Sequence, residues 1–135
     1  MHKKPLLLAA TAFVSMALSS PSLAGPREDL LAQYASTAKV SGFSAARGQE
    51  LHTRAFAAGK AETPACTSCH GKSPRSEGQT LTGKPIKAMA VSVSPTRYTD
   101  AAKVEKWFKR NCAEVLGREC TAQEKGDWLS YILSQ

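Results

Sequence analysis

The chain has 135 residues, 42% of them hydrophobic, and 18 Lys and Arg against 11 Asp and Glu give a formal net charge of +7. That length bounds it to one compact domain. Internal repeats, low-complexity tracts and nucleic-acid motifs are absent from the sequence. The charge fits docking to acidic proteins better than nucleic-acid binding, with a merely solvated basic surface as the plain alternative.

The first 24 residues read as a signal peptide. Lys3 and Lys4 form a basic start, and Leu6 to Leu18 is an apolar run too short for a confident membrane span. Ser22-Leu23-Ala24 offers small residues for cleavage after Ala24, with an uncleaved anchor as the alternative. Cleavage leaves residues 25–135 as one domain, lowers the formal charge to +5 by removing Lys3 and Lys4, and implies a periplasmic location, where disulfides are permitted.

A first helix is predicted from Pro26 to about Ala38. Proline stands near its start, Glu28 and Asp29 lie in the first turn, and Leu30, Leu31 and Tyr34 form the inner stripe. A break at Ser41 to Ser44 precedes a second helix, Ala45 to about Ala58, ended by Gly59. Gly48, Leu51, His52 and Ala55 share one face of it. A glycine inside a helix costs about 1 kcal/mol relative to alanine, so Gly48 suggests a close helix crossing.

Cys66-Thr67-Ser68-Cys69-His70 follows, the Cys-x-x-Cys-His attachment signature of c-type haem. Both thiols would form thioethers to one covalent haem c, and His70 would be the proximal iron ligand. A zinc or thioredoxin-like reading leaves His70 and the missing βαβ pattern unexplained. Residues 71 to 98 are poor in apolar residues and rich in Gly and Pro, a long loop tolerated when something such as a haem fills its inside.

A third helix is predicted from Thr99 or Asp100 to Arg110, with Val104, Trp107, Phe108 and Asn111 at i, i+3, i+4 and i+7. Cys112 and Cys120 come next, with seven residues between them, among which Val115-Leu116-Gly117 supplies a turn. In an oxidising compartment a disulfide is the favoured state, worth roughly 2–3 kcal/mol for so short a loop; two free thiols are the alternative. The last helix opens with a capping box, Thr121 and Glu124, and carries a Trp128, Leu129, Ile132 stripe with Tyr131 at its edge. No stretch alternates with period two for long enough to suggest a sheet, so the fold class is all-α.

Arg47-Gly48-Gln49-Glu50-Leu51 ahead of the haem motif, with an aromatic C-terminal helix, resembles class I cytochromes c. That implies their helical fold wrapped around one haem, here with an extra N-terminal helix, and Gly48 crossing the last helix near Trp128 or Tyr131. Thr80-Leu81-Thr82-Gly83-Lys84, Arg97-Tyr98-Thr99-Asp100, Val104-Glu105-Lys106-Trp107, Arg110-Asn111-Cys112 and Gly117-Arg118-Glu119-Cys120-Thr121 resemble, more narrowly, the SHP (sphaeroides haem protein) high-spin monohaem cytochromes c. The resemblance implies that Asn111 is a displaceable distal ligand to the iron, with a Cys112–Cys120 disulfide beside it. It also implies a multihaem cytochrome c and a membrane b-type cytochrome as electron partners.

The residues themselves leave alternatives. Asn111 is also a favoured helix C-cap. Met89, the one methionine of residues 25–135, is the usual kind of sixth ligand in low-spin carriers, yet it stands only nineteen residues after His70 and before Ala90. A loop residue packing on the haem describes it as well. His52 faces inward and reads as packing near a helix crossing or the surface rather than as a ligand.

Trp107 and Phe108 are candidates to line the haem pocket, or ordinary core. Lys72, Arg75, Lys84 and Lys87 in the loop, and Lys103, Lys106, Lys109 and Arg110 on the third helix, could frame the haem edge for an acidic partner. The expected function is electron transfer with binding of O2, NO or CO at the distal site. The alternatives are an ordinary Met89-ligated low-spin carrier, or a small haem oxidoreductase acting on O2, NO or peroxide. Catalysis is the less favoured of these, because a distal histidine–arginine pair is missing and Arg110 points away from Asn111 on a helical wheel.

Overall fold

The computed structural model describes residues 25–135; the signal-peptide reading of residues 1–24 lies outside the described residues. The elements are α1 (Pro26–Ala38), α2 (Ala45–Thr53), α3 (Thr67–His70), β1 (Gly78–Gln79), β2 (Pro85–Ile86), α4 (Ala101–Leu116) and α5 (Ala122–Leu133). Among the described residues, no helix is long and apolar enough to cross a membrane.

The first helix has the predicted bounds, and its stripe buries Leu30 and Tyr34 against Val104 of α4 and Leu129 of α5. Tyr34 donates a hydrogen bond to Glu105, which also accepts from Lys125 at 2.6 Å, so one carboxylate joins α1, α4 and α5. Burial, together with that bond and the Glu105 charge, pushes the Tyr34 pKa well up.

The second helix is shorter than predicted. It opens with Ser44 accepting from the Arg47 N–H and stops at Thr53, with Arg54 extended. The chain has to turn there because Ala58 and Gly59 meet α4 backbone to backbone. A Cβ on Gly59 would stand 2.2 Å from the Val115 carbonyl oxygen, and one on Gly117 would stand 2.1 Å from the Ala58 oxygen. Gly59 therefore serves a crossing rather than a helix end.

The fourth helix is longer than predicted. Asp100 caps it by accepting from the Lys103 N–H, and it runs past Arg110 to Leu116, where Gly117 adopts φ 71. The buried stripe is Val104, Cys112, Val115 and Leu116, with Phe108 half-buried. Reading the stripe through Trp107 and Asn111 put the helix end six residues too early, because the apolar face continues through Cys112. The capping box of α5 is present in both directions.

The long loop holds a two-residue antiparallel ladder that the sequence did not suggest, Gly78 opposite Ile86 and Gln79 opposite Pro85, closed by Gly83 at φ 83. Its two ends are pinned together. Pro74 accepts from the N–H groups of Met89 and Ala90, both at 2.8 Å, and the Arg97 guanidinium reaches the Lys87 carbonyl at 2.7 Å. Arg27 of α1 in turn donates to the Arg97 carbonyl at 2.9 Å.

Candidate haem site and family

The α2–α5 crossing is the platform of the site. A Cβ on Gly48 would stand 2.0 Å from the Asp127 carbonyl oxygen and 2.8 Å from the Tyr131 Cβ, so only glycine lets the helices meet at this distance. Asp127 itself is buried. It accepts from the Ser44 N–H at 2.7 Å, from Gln123 at 3.1 Å, and from Arg47 through both oxygens at 2.7 and 2.8 Å. Burial alone would raise its pKa, but these hydrogen bonds outweigh it and hold the carboxyl below the ordinary carboxylate range. The sequence reading missed Asp127, whose partner Arg47 lies eighty positions away.

Beside this crossing, residues 66–71 make one tight turn of helix. The Cys69 and His70 N–H groups reach the Cys66 carbonyl at 3.3 and 3.1 Å, and the Gly71 N–H reaches Thr67 at 3.0 Å. Gly71 has φ 68, a conformation natural to glycine. β1 lies directly behind the turn: a Cβ on Gly78 would stand 2.2 Å from the Cys69 oxygen and 2.9 Å from the His70 Cα. Gly78 is a second residue the sequence reading passed over, visible there only as one of several loop glycines.

The donor set suits a covalent haem. Cys66 and Cys69 are free thiols. Burial pushes the Cys66 pKa to about 11, and burial with the Glu114 charge raises that of Cys69. Burial above all, with nearby His52 and the Arg97 charge opposing a second cation, lowers His70 to about 4, so its imidazole is neutral and offers a lone pair. Among the described residues, no group of three or more His, Cys, Asp or Glu side chains could hold a metal ion by themselves. The two thiols and one imidazole fall one donor short of a closed structural zinc site.

Cys66 borders the cluster of Leu51, Val115 and Leu116, and so does Cys120. The haem motif thus packs beside the end of α4 to which Cys120 is tied. The Cys112 and Cys120 sulfurs are bonded, with Cα atoms 5.5 Å apart. Asn111 lies inside α4, six residues before its C-cap, which removes the C-cap reading. Trp107, 45% exposed, and Asn111, also exposed, are i, i+4 neighbours on a face of α4 that the polypeptide leaves open. Phe108 turns inward, with its ring 5.4 Å from Trp128 and 6.2 Å from Tyr34. Arg110 does not point away from this region: its guanidinium sits 5.4 Å from the Trp107 ring centre.

Met89 is 3% exposed and packs with Tyr131 and Ile132, bordered by Ala45, Tyr98 and Trp128. Its carbonyl accepts from the Tyr98 hydroxyl at 3.1 Å. His52 is fully buried at the helix crossing, with both ring nitrogens within hydrogen-bonding reach of a neighbour. The eight candidate partner-facing cations, Lys72, Arg75, Lys84, Lys87, Lys103, Lys106, Lys109 and Arg110, are all exposed.

Residues 38–132 match a family described as a domain of unknown function (DUF1924). A cytochrome c-type protein SHP from Cereibacter sphaeroides is 44% identical over 124 residues, covering 90% of this chain and 95% of that protein. The chain belongs to the SHP-type cytochrome c family. Its cofactor is one covalent haem c, and its fold is that of these helical cytochromes.

Among solved structures, oxidised SHP, described as an oxygen-binding cytochrome c, superposes with a TM-score of 0.78 at 44% identity, covering 81% of this chain and 96% of the other. Oxidised cytochrome c'' from Methylophilus methylotrophus follows at TM-score 0.70 and 30% identity, covering 82% and 94%. The sequence of cytochrome c'' is 35% identical over 89 residues, 65% of this chain and 62% of that protein. This SHP-type chain thus shares its helical fold with both proteins.

Proposed function

We propose that this SHP-type cytochrome is a periplasmic high-spin protein that exchanges electrons and binds O2, NO or CO at a distal position vacated by Asn111. The haem, joined through Cys66 and Cys69, supplies the redox-active iron and the place where such ligands bind. His70, held neutral by its surroundings, presents the proximal imidazole. Asn111 offers a carboxamide oxygen, a hard and weak donor that suits ferric iron and holds ferrous iron loosely.

The observation that carries this reading is the placement of Asn111: a polar side chain exposed beside Trp107, immediately before a buried half-cystine. With Cys112 tied to Cys120, the backbone at Asn111 is anchored, so ligand exchange would be a local side-chain or loop movement rather than unfolding. Trp107, on the same open face, would border an incoming diatomic ligand. The exposed lysines and arginines suit acidic electron partners, for which a multihaem cytochrome c and a membrane b-type cytochrome are proposed.

Ferric and ferrous absorption spectra of the holoprotein and its Asn111→Ala variant test this. The variant should open the ferric site and bind exogenous ligands more tightly. An unchanged spectrum, or a methionine–iron charge-transfer band in the parent, would refute the Asn111 assignment and favour a low-spin carrier ligated by Met89.

A further inference from the structure

His52 is 0% exposed in a helix crossing that a phenylalanine could fill without a polar cost. Its ring lies among aromatic neighbours, 5.8 Å from Tyr131 and 6.4 Å from Trp128. The Trp128 indole N–H, which can only donate, points at Nδ1 at 3.4 Å. Nδ1 is therefore the acceptor nitrogen and the ring proton resides on Nε2. That proton is directed at the Gly71 carbonyl, 3.3 Å away. Burial keeps the imidazole neutral, the form this relay requires.

Gly71 immediately follows His70, and its N–H is already held by Thr67 at 3.0 Å. With its carbonyl held by His52, Gly71 is fixed through both its N–H and its C=O, one on each of the two peptide units that follow His70. β1 closes the opposite side through the Gly78 contact with Cys69 and His70. His52 thus connects the α2–α5 crossing, by way of Trp128, to the backbone that aims the His70 ring.

We infer that His52 is a positioning residue for the haem ligand: the Trp128–His52–Gly71 relay sets the orientation of the His70 imidazole on the iron. This rests on the reading of His70 as proximal ligand. Outer partners that orient a metal-ligating histidine tune the metal as well as the fold, so the relay should be visible at the iron and not only in stability.

The test is the iron–imidazole stretching band in resonance Raman spectra of the ferrous holoprotein, for the parent, His52→Phe and His52→Gln. His52→Phe fills the space but removes both hydrogen bonds, and the band should shift and broaden as His70 samples several orientations. His52→Gln, whose amide can both accept and donate, should return the band toward that of the parent. Trp128→Phe, which removes only the indole donor, should broaden it less and serves if His52→Phe does not fold. A band of unchanged position and width in His52→Phe, or in Trp128→Phe when that variant stands in, overturns the proposal and leaves His52 a packing residue. Absence of any iron–imidazole band in the parent, a band that five-coordinate ferrous haem gives, overturns instead the proposed ferrous state beneath it, with His70 on one side and the other side vacated.

Discussion

Replacing Gly48 with alanine opposes two effects whose sizes can be compared. Alanine favours a helix interior by about 1 kcal/mol relative to glycine. Against this, the new methyl would stand 2.0 Å from the Asp127 carbonyl oxygen and 2.5 Å from its carbon, where ordinary contact begins at 3.4 Å. α2 and α5 would have to part by about 1.4 Å at this point, the difference between those distances. Both atoms belong to the α5 backbone, so no side-chain rotation relieves the clash, and overpacking of this kind costs about 3 kcal/mol, the upper end of the usual range.

The net loss is about 2 kcal/mol, or roughly 10 °C in Tm for a domain of this size. Thermal unfolding of the holoprotein, followed by far-ultraviolet circular dichroism, measures it. Gly42 is the control, because a methyl added there would meet no atom within 4 Å; Gly42→Ala should stay within about 1 kcal/mol of the parent and tend upward. A Gly48→Ala variant as stable as the parent would refute the close-crossing argument.

Two further perturbations follow from the same scaffold. Asp127→Asn should lower Tm at neutral pH and remove part of the acid sensitivity. The folded-state pKa of Asp127 is depressed, so its stabilisation is complete above the unfolded carboxyl value of about 3.9 and is lost as pH falls through the lower folded value. Parent and variant stabilities measured by denaturant titration should therefore converge toward low pH, and a constant gap would contradict this. The Cys112→Ser, Cys120→Ser double variant should lose roughly 2–3 kcal/mol on chain-entropy grounds. It should also bind exogenous ligands faster, because the α4 backbone at Asn111 is released; unchanged ligand-binding kinetics would argue against an anchoring role.

Much of the frame was legible because it is written in local signals. Pro26, the acidic first turn and the Leu30–Tyr34 stripe define α1, and Thr121 with Glu124 defines the start of α5. Gly48 announced a crossing by its cost alone, and the Cys-x-x-Cys-His string marked the haem turn. What was not legible depends on pairs far apart in the chain. The end of α2 is dictated by Gly59 against Val115, and the burial of Asp127 by Arg47 and Ser44. The extension of α4 was hidden for another reason: Asn111 and Trp107 lie on its open face, so the stripe drawn through them ran off the core while Cys112, Val115 and Leu116 continued along it. The roles of His52 and Gly78 emerge only once β1 and α5 are in place, since neither has a partner within its own element.

The crossing of α2 with α5 also encircles the haem turn. Arg47 and Asp127 meet across eighty positions of chain, and residues 66–70 lie within the loop they close. Inside that loop Cys66 borders Leu51, Val115 and Leu116. The contact that docks the two helices therefore also fixes the chain on both sides of the haem attachment point, so whatever loosens Arg47 from Asp127 loosens the frame of the site along with the fold.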